Sequence, residues 1–218
     1  MLLSSDKTNF PIIVVEQAEV EFHLLPITKT QFEQFLSETL ADFSQGYQMM
    51  CDLNPPFDDE SLDIEQRERL FVTGILPDEA IAFAEWLGEG FDLPTVKEWR
   101  LIYNVLNRTP PPRRDLAAEL VEGGIAGTIL GHFSKELTIQ SMLDFTLMKD
   151  GLVEWVWQDK QPVGLGRPRA QFHPNLWNPM VNEIKPIRAN ERVPYFGFRL
   201  VRRGDWYLKD RQNARFVF

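Results

Sequence analysis

Between Leu76 and Leu106 the sequence dictates two short helices joined by a glycine turn. Pro77-Asp78-Glu79 is a helix start. Ala80, Ile81, Ala84, Trp86 and Leu87 then form an apolar face, and Gly88 and Gly90 supply the stop. Leu93-Pro94-Thr95 opens the second helix, with Thr95 as N-cap and Glu98 three residues on, a reciprocal capping box. Trp99, Ile102, Tyr103 and Leu106 carry its apolar side.

Strand signals flank this pair. Ile12-Ile13-Val14-Val15 is β-branched, and Ala18 to Leu25 alternates loosely through Val20, Phe22 and Leu24 until Pro26 ends it. Phe32, Phe35, Leu36 and Leu40 predict a helix over 28–40, capped at Thr28 or Thr30 with Gln31 or Glu33 three residues on. Residues 41–74 read as irregular, with an acidic run at Asp58-Asp59-Glu60 that is ordinarily a solvated face. Pro110 to Arg114 is a stiff connection. Leu152 to Trp157 reads as a buried strand and Phe196 to Val201 as another; Trp206-Tyr207-Leu208 and Phe216-Val217-Phe218 add a strand or a tail. Residues 159–194 carry Pro162, Gly164, Gly166, Pro168, Pro174, Pro179, Pro186 and Pro194 and read as one long loop, a length that usually marks function.

Composition narrows the function classes. With 32 acidic and 23 basic residues the 218-residue chain carries a net charge of −9, which argues against a broad nucleic-acid face. The single cysteine, Cys51, excludes an internal disulfide and argues against a cysteine-built metal site. No apolar run reaches membrane-spanning length, and Met1 to Asn9 lacks the pattern of a secretory signal, so the expectation is a cytoplasmic protein without membrane contact. The length suits one domain over 1–218, with the motif core at about 22–201 and a C-terminal extension over 202–218.

Three separated pieces together resemble the formylglycine-generating enzyme, or sulfatase-modifying factor, family. Pro26-Ile27-Thr28-Lys29-Thr30-Gln31-Phe32 through Phe35 is similar to the family's opening helix. Pro77 to Gly88, followed by Leu93-Pro94-Thr95-Val96-Lys97-Glu98-Trp99, is similar to its "D-A-x-A-(Y/F)-C-x-W-L … L-P-T-E-A-E-W". Glu154-Trp155 and Gly197-Phe198-Arg199 match its "V-W-E-W" and closing "G-F-R". The resemblance implies an α+β, C-type-lectin-like fold: two helices, a small twisted antiparallel sheet and much ordered loop. Trp86, Trp99 and Trp155 are then core residues, Glu98 a capping residue, and Arg199 a pin for ion pairs or loop carbonyls.

The family's chemistry does not carry over. Its oxidases bind copper with a late cysteine pair, and residues 160–195 contain no cysteine. A related branch holds iron with histidines, whereas His23, His132 and His173 stand singly. At the family's calcium-binding "G-N" this chain has Asp150-Gly151, leaving Asp150 as the candidate ligand for calcium; no other cofactor is expected. The sugar-binding motifs of true C-type lectins are absent.

The reading is a pseudoenzyme: a non-catalytic protein-binding module, such as a bacterial interaction or regulatory subunit in a defence or signalling system. The alternative is a divergent metal-dependent oxidoreductase or protein-modifying oxidase. The expected partner is a protein, with the oligomeric state left open. Candidate partner-binding residues are Trp157, Arg167, Arg169, Trp177, Arg188, Arg192 and Tyr195, since aromatic residues and arginine dominate binding hot spots. Arg202-Arg203 extend that basic flank.

Overall fold

A computed structural model describes residues 2–39, 71–111, 140–146, 148, 152–167, 180, 183–184, 190–193, 195–204 and 215–216. Cys51, the run Asp58-Asp59-Glu60, His132, His173 and Trp206-Tyr207-Leu208 lie outside those residues.

The described residues form an α+β fold with two sheets. In chain order the elements begin with β1 (Leu2–Ser5), β2 (Pro11–Val15), a 3-10 turn (Glu16–Ala18), β3 (Val20–His23) and α1 (Lys29–Thr39). Next come α2 (Pro77–Leu87), β4 (Phe91–Asp92), α3 (Val96–Arg108) and α4 (Met142–Phe145). The chain closes with β5 (Val153–Gln158), β6 (Gln161–Leu165), β7 (Phe196–Gly197), β8 (Val201–Arg203) and β9 (Arg215–Phe216). The larger sheet runs β4-β8-β3-β2-β1-β9 with antiparallel pairing throughout. The smaller is β6-β5-β7, with β5 antiparallel to β6 and parallel to β7. The expectation of one small sheet is therefore corrected to two.

Register explains the first sheet. β2 is buried along its whole length, as its unbroken apolar run requires. Ile13 pairs with Phe22 and Val15 with Val20, which puts these four on one face, against Trp99, Ile102 and Leu106 of α3. The opposite face of β3 carries Glu21 and His23. His23 is fully buried; its Nδ1 accepts the Leu200 N–H at 3.2 Å, so Nε2 holds the proton donated to Asp6 Oδ2 at 2.9 Å. Asp6 Oδ1 also accepts from Thr8 N–H and Phe10 N–H, at 2.7 and 3.0 Å. The histidine is a structural part of the sheet.

β5 divides the core. Val153 and Trp155 face the cluster of α1 and α2, with Phe32, Phe83 and Phe198. Val156 faces the cluster of β2, β3 and α3. One strand with period-two alternation thus serves two apolar clusters. Of the tryptophans in the family motifs, Trp99 and Trp155 are buried to 0% and 1% exposure, whereas Trp86 is half-buried, its Nε1–H donating to Glu38 at 3.0 Å and the Lys7 ammonium 3.6 Å from its ring centre.

Helix starts follow the sequence. Thr28, not Thr30, caps α1: its N–H donates to Gln31 Oε1 at 3.1 Å, and Gln31 N–H donates back to the hydroxyl at 3.3 Å. Glu79 receives the Leu76 N–H at 2.8 Å at the start of α2.

Two strand expectations need correction. The long loop from 159 is interrupted by β6, which turns back on β5 through Asp159-Lys160. Pro162 is tolerated because β6 lies at the edge of its sheet. Gly164 is not a breaker either: a Cβ there would stand 2.5 Å from the Phe196 ring and from Val153. The predicted strand 196–201 is two pieces. β7 pairs with β5, and β8 joins the other sheet, while Phe198 and Leu200 carbonyls accept from Ile27 and His23 between them.

A buried ion pair ties these parts together. Arg199 Nη2 and Nε donate to Glu154 at 2.7 and 2.9 Å, Nη1 to the Leu24 carbonyl at 3.0 Å and Nη2 to the Thr146 carbonyl at 3.0 Å. Trp99 Nε1–H donates to the same carboxylate at 2.9 Å, and Glu154 and Arg199 are both 0% exposed. Replacing Glu154 by Gln leaves the Arg199 charge buried and unbalanced. The expected loss is about 3–5 kcal/mol, read as a lowered urea midpoint; an unchanged midpoint refutes this role.

Candidate functional site

A cleft of about 1000 Å³ opens between the start of α3, the tip of the β5–β6 hairpin and the end of β8. Asp92, Thr95, Lys97 and Arg100 line it from one side, Trp157 to Lys160 from another, and Arg203 closes the wall.

The wall is held by charge. Arg203 donates from Nε and Nη2 to Glu98 at 2.8 and 2.7 Å, from Nη1 to Asp92 at 2.9 Å and from Nη2 to the Leu93 carbonyl at 3.0 Å. Asp92 Oδ1 also accepts the Leu93 N–H at 2.7 Å and the Trp157 indole N–H at 3.0 Å. Trp157 N–H donates to the Pro94 carbonyl at 2.8 Å, and Trp157 forms a β-bridge with Thr95, so the hairpin is docked on the start of α3. Arg100 pairs with Glu183 at 2.7 Å through Nη2, while its buried Nε has no acceptor among the described residues.

Glu98 does two jobs at once. Its Oε2 accepts the Thr95 N–H at 2.6 Å and the Thr95 hydroxyl at 2.8 Å, and Glu98 N–H donates to the Thr95 oxygen at 3.1 Å, which is the capping box read from the sequence. Burial raises its pKa, but the bonds from Arg203 and Thr95 together outweigh burial and hold it below its ordinary value of 4.5. A carboxylate held that low is a poor proton donor or acceptor near neutrality. Glu98 is therefore suited to holding Arg203 and the helix cap rather than to proton transfer. Among the described residues, no group of three or more His, Cys, Asp and Glu side chains could hold a metal ion.

Of the residues singled out from the sequence, those that are described do not share one place. Trp157 is half-buried in the cleft, whereas Arg167 follows β6 outside its lining. Arg192 lies at the start of α2: Nη2 and Nη1 donate to Glu79 at 2.6 and 2.8 Å, and Nη1 to the Gly74 carbonyl at 2.9 Å. Tyr195 packs on Phe196, and burial, with the Glu191 charge, pushes its phenol pKa up. Arg202 is paired with Glu21 on the neighbouring strand. Arg169, Trp177, Arg188 and Asp150 lie outside the described residues. Asp92, Arg100 and Lys160 were not marked by the sequence. Lys97 and Arg100 have helical spacing on the side of α3 away from Trp99, and Asp159-Lys160 is a two-residue tip between strands; those are the only signals they offer.

Residues 3–102 match the family model of the sulfatase-modifying factor enzyme 1-like domain, and that stretch of the chain is similar to it. No curated protein matches the chain. Glu154-Trp155 and Gly197-Phe198-Arg199 fall beyond the matched stretch, yet Glu154 is bonded directly to Trp99 within it. Gly197 also has a local reason: a Cβ there would stand 2.9 Å from the Val72 carbonyl oxygen and from Leu152. Among the described residues, no helix is long and apolar enough to cross a membrane.

Two outcomes are expected of the wall. Thr95→Ala loses the cap and costs about 1 kcal/mol in thermal unfolding. The lowered Glu98 pKa means its contribution to stability is present above 4.5 and is lost as pH falls through the lower folded value. Glu98→Gln therefore flattens the fall in stability in that acidic window; an identical pH profile in the variant contradicts the assignment.

Proposed function

We propose that the chain is a non-catalytic protein-binding module of the formylglycine-generating-enzyme kind, built on a C-type-lectin-like framework, and that a protein partner seats in the cleft beside Trp157. It would serve as an interaction or regulatory subunit. The observation that carries the reading is the cleft itself: a half-buried indole set in a wall where Asp92 and Glu98 are bonded to Arg203, with Glu98 kept ionised. Such a wall is rigid before any partner arrives, and preorganisation favours affinity. The sequence supports the non-catalytic part, because a copper site of paired thiolates needs two cysteines and the chain has Cys51 alone.

The test compares wild type with Trp157→Ala. Partners captured from lysate of the source cells are identified, and their affinity is then measured with purified proteins. The substitution is expected to weaken binding by about 1–3 kcal/mol while the domain stays folded. Equal affinity in a folded variant places the interface elsewhere; Lys160→Glu, at an exposed position, keeps the test available if Trp157→Ala unfolds.

A further inference from the structure

We infer that the segment recognised in this cleft is an extended, acidic stretch of the partner, its carboxylates meeting Lys97 and Lys160 and an apolar side chain between them lying on Trp157. This rests on the protein-binding reading above. Three acids at or behind the wall already have partners: Arg203 holds Asp92 and Glu98, and Arg100 holds Glu183. Lys97 and Lys160 are different. Both are exposed, both line the cleft, and neither has an ion pair or hydrogen bond among the described residues. They stand on separate elements, the first turn of α3 and the hairpin tip.

Trp157 links the two elements that carry them. It is bridged to Thr95, two positions before Lys97, and it precedes Lys160 by one turn of the hairpin. Its one polar atom is bonded to Asp92, which leaves the ring to offer apolar surface. An extended segment places alternate side chains on one face. Acid, apolar and acid at every second position would meet one lysine, the indole and the other lysine. Main-chain extension with pockets for alternate residues is an established mode of peptide recognition.

Charge also limits the ligand. Asp159 sits beside Lys160 on the tip, so the positive excess is local. At physiological salt, fields decay over about 8 Å, and the chain as a whole carries −9. A polyanion such as a nucleic acid would meet that overall repulsion, whereas a segment with two or three spaced carboxylates would not.

The test uses the full chain and a fluorescein-labelled nonapeptide with Glu, Leu and Glu at alternate positions in a Ser/Gly background. Its counterparts replace Glu by Gln, Glu by Lys, or Leu by Ala. Fluorescence polarisation should show the acidic peptide binding at least about tenfold more tightly than the Gln and Lys forms, with the gap closing as salt is raised. Lys97→Glu with Lys160→Glu should reverse the preference, and the Ala-for-Leu peptide should bind more weakly. Equal binding of the Gln and Glu peptides, preference for the Lys peptide, or tighter binding of a single-stranded oligonucleotide overturns the inference. So does the absence of peptide binding. If partner capture nonetheless depends on Trp157, the protein-binding reading stands without it; if capture is indifferent to Trp157, the cleft is not the interface and the inference falls with that placement.

Discussion

Glu154 and Arg199 are fully buried ions, and the remaining architecture is arranged around satisfying them. Removing two charges from water is costly, and their mutual attraction compensates only when the remaining donors and lone pairs are also bonded. Here the guanidinium meets one carboxylate and two carbonyls, and the carboxylate also takes the Trp99 N–H. Glu154, Leu24, Thr146 and Trp99 each belong to a different piece of chain. Once the bonds are made, β5, α3, the segment after β3 and the turn after α4 have little freedom relative to one another. The cleft inherits that rigidity, because Trp157 lies three residues beyond Glu154 on β5 and Lys97 two residues before Trp99 on α3.

The cleft wall uses the same chemistry with more water. Arg203 and Asp92 keep 35% and 40% side-chain exposure, so solvent screens their attraction. Their value is geometric. Asp92 accepts from Arg203 with one oxygen and from Trp157 with the other, which fixes the indole from outside while the core packs it from inside. The arrangement couples a helix cap, a strand end and a hairpin tip through Glu98, Arg203 and Asp92.

What was legible from sequence was what is local. The capping box at Thr95 and Glu98 and the apolar stripe of α3 need only a four-residue spacing, and both hold in the structure. The strand β6 was hidden because Pro162 and Gly164 look like breakers until the edge position and the Phe196 ring are known. β1 was hidden because four residues with two serines carry almost no pattern, and only pairing with β2 and β9 defines them. Arginines 192, 202 and 203 looked like one basic flank in the sequence. Their acidic partners, Glu79, Glu21, Asp92 and Glu98, lie about a hundred positions or more away along the chain and separate them in space. A lysine on the polar side of a helix reads as any solvated lysine, so the cleft emerges only when distant elements converge.

The bond from Arg199 to the Leu24 carbonyl spans 175 positions of chain. Closing a contact of that separation must precede most of the reward it brings, and folds dominated by such contacts form slowly. During synthesis the ribosome releases β1 to β3, α1, α2 and α3 long before Arg199 exists. Glu154 emerges next, a carboxylate with no guanidinium to receive it, and must stay in water until the last fifth of the chain arrives. The ion pair thus closes late, and a chain whose core depends on a late contact exposes apolar surface to other molecules while it waits.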